Sequence, residues 1–173
     1  MKITIQTERL ILRPFELDDA NDIYYGWAND SEVTKYLTWN PHKNIEETKM
    51  VLSNWVKQYE KEERINFAIT LKENNQLIGA IDVVGYIGGV PVIGYVLSKA
   101  HWNKGYMSEA CKKVIEFLFS LGHKKIIIDA QVENNASNKV IQKSGGEYVD
   151  TYTEYFPLKG ERRNINRYVV NNK

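Results

Sequence analysis

The sequence predicts a mixed α/β fold of the α+β kind, a mostly antiparallel central sheet flanked by about four helices. Three observations predict it. Segments alternating apolar and polar residues, and segments with 3.6-residue apolar periodicity, follow one another along the whole chain. Several alternating segments are joined by short polar turns, the mark of antiparallel neighbours. No repeat, Pro- or Ser-rich linker or low-complexity stretch divides residues 1–173, so a single domain is expected, of a length that one core can serve.

The elements follow in order. Ile3, Ile5, Leu10 and Leu12 alternate with polar neighbours, Arg9 and Arg13 among them, and predict a first strand that Pro14 breaks. Asp18 and Asp19 supply acidic first-turn residues for a helix to about residue 29, with Ile23, Trp27 and Tyr24 inward. Residues 33–42 read as a loop. Asn44 caps a second helix whose first turn holds Glu46 and Glu47 and whose inner face is Ile45, Thr48, Leu52, Trp55 and Tyr59. The charged run 60–64 ends it. Residues 67–71 and 77–84 form a predicted hairpin around Glu73-Asn74-Asn75-Gln76, and 85–89 lead into another strand over 90–97. Later come a strand over 125–132, with Ile126, Ile128, Ala130 and Val132 on its buried face and Ile127, Asp129 and Gln131 on a more polar one, and a helix over 135–144 capped by Asn134 and ended by Gly145-Gly146. A closing hairpin spans 148–156 and 162–170.

The most informative stretch is 94–110, an apolar strand, a short basic loop with Gly105, then the first turn of a third helix. A helix start leaves several backbone N–H groups without intrahelical partners and carries about half a positive charge. An anionic diphosphate can occupy those donors, with Gly105 allowing close approach and Lys104 adding a cation. Met107, Ala110, Cys111, Val114, Ile115, Leu118 and Leu121 then form the apolar stripe of a helix packed on a sheet, which Gly122 ends. The plain alternative is a loop that merely turns. Neither a G-x-G-x-x-G fingerprint nor a nucleotide P-loop is present.

Composition narrows the function classes. Lys and Arg number 23 against 22 Asp and Glu, and no basic run exceeds Arg162-Arg163, so nothing favours nucleic acid as a partner. The single cysteine, Cys111, excludes an intramolecular disulfide framework and lies on the third helix's apolar stripe. Charges at Lys2, Glu8, Arg9, Arg13, Glu16, Asp18 and Asp19 leave no room for a signal h-region, and no apolar run reaches membrane-spanning length. A cytoplasmic protein without a membrane partner is expected. His42, His101 and His123 lack metal-ligand spacing, so no metal is expected either.

Four separated stretches carry a resemblance: Thr7-Glu8-Arg9-Leu10-Ile11-Leu12-Arg13-Pro14, Ile93-Gly94-Tyr95, Trp102-Asn103-Lys104-Gly105-Tyr106-Met107-Ser108-Glu109-Ala110, and Asn134-Asn135-Ala136-Ser137 with Lys143-Ser144-Gly145. In this order they resemble the GNAT N-acetyltransferase superfamily, and within it the RimJ/RimL-like branch that acetylates protein N-termini and various small amines. The resemblance implies acetyl-CoA as co-substrate. It places the diphosphate on the backbone of Asn103, Lys104, Gly105, Tyr106, Met107 and Ser108, and the pantetheine arm beside Val96 and Leu97 like an added strand. Asn134, Ser137 and Lys143 complete the implied cofactor contacts. A homodimer is a common family arrangement, and the oligomeric state stays open.

The sequence departs from the superfamily pattern at five positions. Trp102 and Met107 replace Gln or Arg and a small residue, and Gly146 stands where Phe is usual. Ile141 holds the place of the Tyr taken as the thiolate's proton donor, and Val92 that of a Glu often used as base. In the RimL-like branch a Ser at the helix start substitutes for the Tyr, and Ser137 matches it, with Asn134 three residues before. Both are also ordinary helix-capping residues.

Acyl transfer to an amine needs a neutral nitrogen, so a carboxylate that can take its proton is sought. Asp82, Asp129 and Glu133 are the strand-borne candidates, whereas Glu133 and Glu109 also suit helix starts. Asp82 interrupts an apolar strand, where a carboxylate sits either on an exposed face or for function. Asp129 lies on the polar parity of its strand, where ordinary solvation accounts for it nearly as well as a role as base. Tyr36 and Trp39, near Trp27, offer an aromatic wall for the acceptor ammonium, while core packing accounts equally for Trp27 and Trp55. The expected function is an acetyl-CoA-dependent N-acetyltransferase acting on a primary amine by direct transfer. Because the Tyr and Glu are missing, a CoA-binding module without catalysis is the alternative.

Overall fold

The computed structural model describes residues 2–61 and 64–173, which pack as two units. The first takes the described residues up to Asp82 together with Tyr95–Tyr106, and the second takes Val83–Gly94 together with Met107–Lys173.

In the first unit, β1 (Ile5–Gln6), β2 (Leu10–Arg13), β3 (Asn66–Leu71) and the start of β4 (Leu77–Ile87) lie side by side in that order. All pair antiparallel, with Leu12 opposite Ile69 and Ala68 opposite Ala80. The end of β5 (Val90–Leu97) belongs to the same unit. Thr7 closes the β1–β2 turn: its N–H donates to the Leu10 carbonyl (3.0 Å), and its hydroxyl oxygen accepts from the Leu10 N–H (2.9 Å). Leu10 and Leu12 are then wholly buried. Arg13 instead reaches Asp19 with two hydrogen bonds of 2.9 and 2.7 Å, which holds the turn after Pro14.

The single helix expected up to residue 29 is three pieces. A short turn at Leu17–Asp19 leads into α1 (Ala20–Ile23), which widens to a π-type turn at Tyr24–Ala28. The expected loop over 33–42 contains the end of α2 (Ser31–Thr34), whose amides Glu32 N–H and Val33 N–H are capped by the Asp30 carboxylate. The second predicted helix is α3 (Ile45–Glu60), capped by Asn44 through the Glu47 N–H at 3.0 Å, and it buries Thr48, Leu52 and Tyr59. These close on Phe15, Ile23, Trp27 and Ala28, with Trp39, Trp55 and Val96 packed against the cluster.

In the second unit the neighbours run β4, β5, β6 (Lys125–Gln131), β8 (Glu161–Asn171) and β7 (Glu147–Phe156). Gly88 and Gly89, at φ +56° and +80°, make the β4–β5 turn. β5 runs parallel to β6 at Val92–Ile127 and Ile93–Ile128, and the β6–β8 and β8–β7 pairs are antiparallel. α4 (Tyr106–Ser120) buries Met107, Ala110, Cys111, Val114, Ile115 and Leu118, the expected stripe, whereas Leu121 lies past the helix end and is exposed. Gly122 takes the left-handed conformation at φ +96° that stops the helix.

β6 differs from expectation. Ile127 and Gln131 are buried along with Ile126, Ile128 and Ala130, and Val132 is exposed. The strand lies between β5 and β8 with both faces covered, so its parity carries no inside-outside contrast. α5 (Asn135–Lys143) follows it. Among the described residues, five α-helices and eight strands, with β5–β6 parallel, give the mostly antiparallel α/β architecture that the sequence predicts, α2 being the helix not expected. No helix among the described residues is long and apolar enough to cross a membrane.

Candidate active site

The basic loop lies in the first unit. The Ser98 N–H donates to the Ile78 carbonyl on β4 (2.8 Å), so by the alternation of a strand the adjoining Leu97 turns its N–H and C=O away from β4. The Leu97 carbonyl receives the Trp102 indole N–H at 2.8 Å. Trp102, which stands where the superfamily pattern has Gln or Arg, therefore ties the loop back to the end of β5. Close approach of the two strands explains Gly79, where a Cβ would lie 2.4 Å from the Val96 carbonyl oxygen.

Two left-handed residues shape the loop, Asn103 at φ +59° and Gly105 at φ +80°. Asn tolerates that region better than other side chains, and glycine occupies it without strain. From there the chain enters α4 at Tyr106, with the first-turn amides characteristic of a helix start. Arg9, at the β1–β2 turn, donates to the Lys104 carbonyl at 3.0 Å and lies 4.5 Å over the Tyr106 ring. The other face of this corner holds His101, whose Nδ1 is 2.6 Å from the Ser98 hydroxyl and whose ring centroid is 6.2 Å from that of Tyr106. Burial and the nearby Lys104 lower the His101 pKa. Val96, Leu97 and Asn103–Tyr106 are thus together in one unit, while Met107 and Ser108 begin the run of α4 in the other.

Asp82, also in the first unit, is on neither an exposed face nor an isolated one. Its carboxylate accepts from the Arg64 guanidinium at 2.5 Å, and Asn66 stands opposite it in register. Burial pushes the carboxyl up to about 6, against the opposing pull of Arg64. Arg64 in turn lies 5.1 Å over the Trp55 ring and reaches Gln58. Beside it the Tyr59 hydroxyl accepts from the Phe15 N–H (3.1 Å) and bonds Asn66, and burial raises its pKa to about 12. Of the expected aromatic wall, Trp27 is core, Trp39 packs against the His42 ring at 5.3 Å, and Tyr36 carries the Lys35 ammonium 5.0 Å from its centroid.

The remaining expected residues lie in the second unit. Asn134 Oδ1 accepts from the Ser137 N–H at 3.2 Å, the cap of α5. Sequence reasoning missed Asn138. Its amide NH2 donates to the Gln131 and Asn134 carbonyls (2.9 and 2.8 Å), and its oxygen accepts from Asn166 (3.0 Å) and the Tyr168 hydroxyl (2.7 Å). One side chain thereby pins the start of α5 to β6 and β8. A polar residue directly after Ser137 was the available signal, but nothing local names its partners. Lys143 lies exposed in the last turn of α5. Asp129 is bound by Arg167 (3.0 and 2.8 Å) and by the Tyr152 hydroxyl (2.9 Å), an ion-pair network in place of solvent. Cys111 is buried, its thiol raised to about 11 by burial, which suits packing. Among the described residues no group of His, Cys, Asp and Glu could hold a metal ion.

The acetyltransferase (GNAT) domain model matches residues 9–147. The chain belongs to the GNAT acetyltransferase family. Among its relatives is the uncharacterized N-acetyltransferase p20 of Bacillus licheniformis, 32% identical over 161 residues that cover 91% of this chain and 89% of p20. A solved GNAT-family acetyltransferase from Bacillus anthracis superposes with TM-score 0.86 at 27% identity, over 98% of each chain. RimL, a ribosomal L7/L12 alpha-N-protein acetyltransferase solved in complex with coenzyme A, superposes with TM-score 0.85 over 98% of each chain at 19% identity, a likeness of fold. As a GNAT member the protein is an acyltransferase, and the family match opens at Arg9, the residue that grips the basic loop.

Proposed function

We propose that the protein transfers the acetyl group of acetyl-CoA directly to a primary amine, either a protein N-terminus or a small-molecule amine, within one cytoplasmic N-acetyltransferase domain. The observation that carries this reading is the loop of left-handed Asn103 and Gly105 that turns the chain into the first turn of α4. The N–H groups of residues 103–108 hold the diphosphate. The parallel ladder of β5 with β6 covers Val92 and Ile93, and beyond it Leu97, whose backbone turns away from β4, offers itself to the pantetheine arm alongside Val96. Tyr36 and Trp39 face the acceptor, and Lys143 adds a cation for the cofactor.

In the proposed step the amine nitrogen attacks the thioester carbonyl, an oxyanion forms and collapses, and the C–S bond breaks. Ser137, held at the α5 cap by Asn134, protonates the departing thiolate. Asp82 takes the proton that leaves the nitrogen, directly or through water; a carboxyl at about 6 is ionised at pH 7 yet basic enough to accept it. One proton leaves nitrogen and one reaches sulfur, so the transfer is balanced.

The test is release of free CoA from acetyl-CoA against a panel of amines and N-terminal peptides, with mass spectrometry of the products. Turnover on any acceptor supports the reading. Calorimetric binding of CoA without turnover on every acceptor identifies the non-catalytic module instead.

A further inference from the structure

We propose that Arg9 is a positioning residue for coenzyme binding: it aims the Gly105 N–H at the diphosphate by holding the peptide group on the opposite side. This rests on the reading of the loop as the coenzyme A site.

Arg9 lies 95 residues before Lys104 in sequence, and its Nη1 donates to the Lys104 carbonyl at 3.0 Å. That carbonyl shares a peptide plane with the Gly105 N–H. In a trans peptide the two groups point in opposite directions, and no peptide bond among the described residues is cis. Fixing the carbonyl toward Arg9 therefore fixes the Gly105 N–H away from it. Gly105 is at φ +80°, a freely rotating residue whose peptide orientation nothing in its own side chain enforces.

The guanidinium is itself held against an aromatic ring and close to the Gly105 backbone. Its Cζ stacks 4.5 Å over the Tyr106 ring, and its Nη2 is 3.3 Å from the point where a Cβ on Gly105 would stand. A residue larger than glycine would meet that nitrogen. The backbone of Arg9 is held as well, since its carbonyl accepts from the Lys72 N–H at 2.9 Å. Its place at the β1–β2 turn follows from the Thr7–Leu10 hydrogen bonds.

The test compares wild type, Arg9→Ala and Arg9→Lys with two acyl donors, acetyl-CoA and S-acetyl-pantetheine, which lacks the diphosphate. Arg9→Ala is expected to raise KM for acetyl-CoA about tenfold with kcat within about twofold, the scale of one charge-assisted hydrogen bond, while kcat/KM for S-acetyl-pantetheine is unchanged. Arg9→Lys, which keeps a donor and the charge but not the planar stack, recovers part of the loss. Unchanged KM for acetyl-CoA in Arg9→Ala, or equal losses with both donors, overturns the assignment. If wild type itself gives no calorimetric heat with CoA, the coenzyme reading fails instead, which separates the two failures.

Discussion

A Cβ built on Gly146 falls 2.5 Å from Cγ2 of Ile141 and 2.9 Å from its carbonyl oxygen. Ile141 and Gly146 thus share one volume, which a side chain on residue 146 would contest. The Gly146 N–H bonds the Ile141 carbonyl (3.0 Å) and the Gly145 N–H bonds that of Gln142 (3.1 Å), with Gly145 at φ +92°, so the end of α5 folds tightly onto Ile141. Gly146→Ala is expected to cost about 1 to 3 kcal/mol through overpacking. Ile141→Leu, which removes the branch at Cβ, recovers part of that but not the contact with the carbonyl. Urea unfolding of the four proteins in a double-mutant cycle measures the coupling, and additive losses contradict it.

Ser137→Ala is expected to lower turnover about 10- to 100-fold, the range for one acid–base contributor, with little change in KM for acetyl-CoA. The α5 cap is kept, because it uses the Ser137 amide and the Asn134 side chain. Unchanged turnover would falsify the proton-donor role. Asn134→Ala, by contrast, removes the cap acceptor and lowers the melting temperature, at a cost of about 1 kcal/mol.

The carboxyl of Asp82, raised to about 6 by burial, sets a pH dependence of definite sign. As base it must be ionised, so kcat/KM falls as pH drops through about 6. Asp82→Asn removes that limb, and a variant whose rate still tracks wild type across pH removes Asp82 from the role. Removing the guanidinium by Arg64→Gln deletes the group that lowers the carboxyl, so the limb moves to higher pH. For stability the linkage runs the other way: a raised acid contributes most below its unfolded pKa and loses that contribution as pH rises through about 6.

Asn138 donates two hydrogen bonds and accepts two across α5, β6 and β8. Asn138→Ala removes the acceptor of the buried Tyr168 hydroxyl and of the Asn166 amide, which is expected to cost about 2 kcal/mol or more. Asn138→Asp, which keeps the acceptors and loses the donors, falls between. Thermal unfolding ranks the three, and an Ala variant as stable as wild type contradicts the hub.

The legible parts of the fold are those whose rule is local. α4 buries the six residues Met107 to Leu118 that its spacing marks, α3 starts at the Asn44 cap, and β5 spans Val90–Leu97 as read. The loop at Gly105 was legible for the same reason, since a glycine before a helix start is a local signal. α2 was missed because a helix of four residues shows no periodicity, only the Asp30 cap.

Spacing and residue type along the chain therefore determined which segments are helix or strand and where the basic loop falls. Each depends on bonds and apolar faces within a few residues. Only the tertiary structure decided partners: Arg64 for Asp82, Arg167 and Tyr152 for Asp129, and Arg9 for the peptide between Lys104 and Gly105. A side chain's charge says that a partner is needed but not which one, because residues distant in sequence meet only once strand register and packing have brought their backbones together.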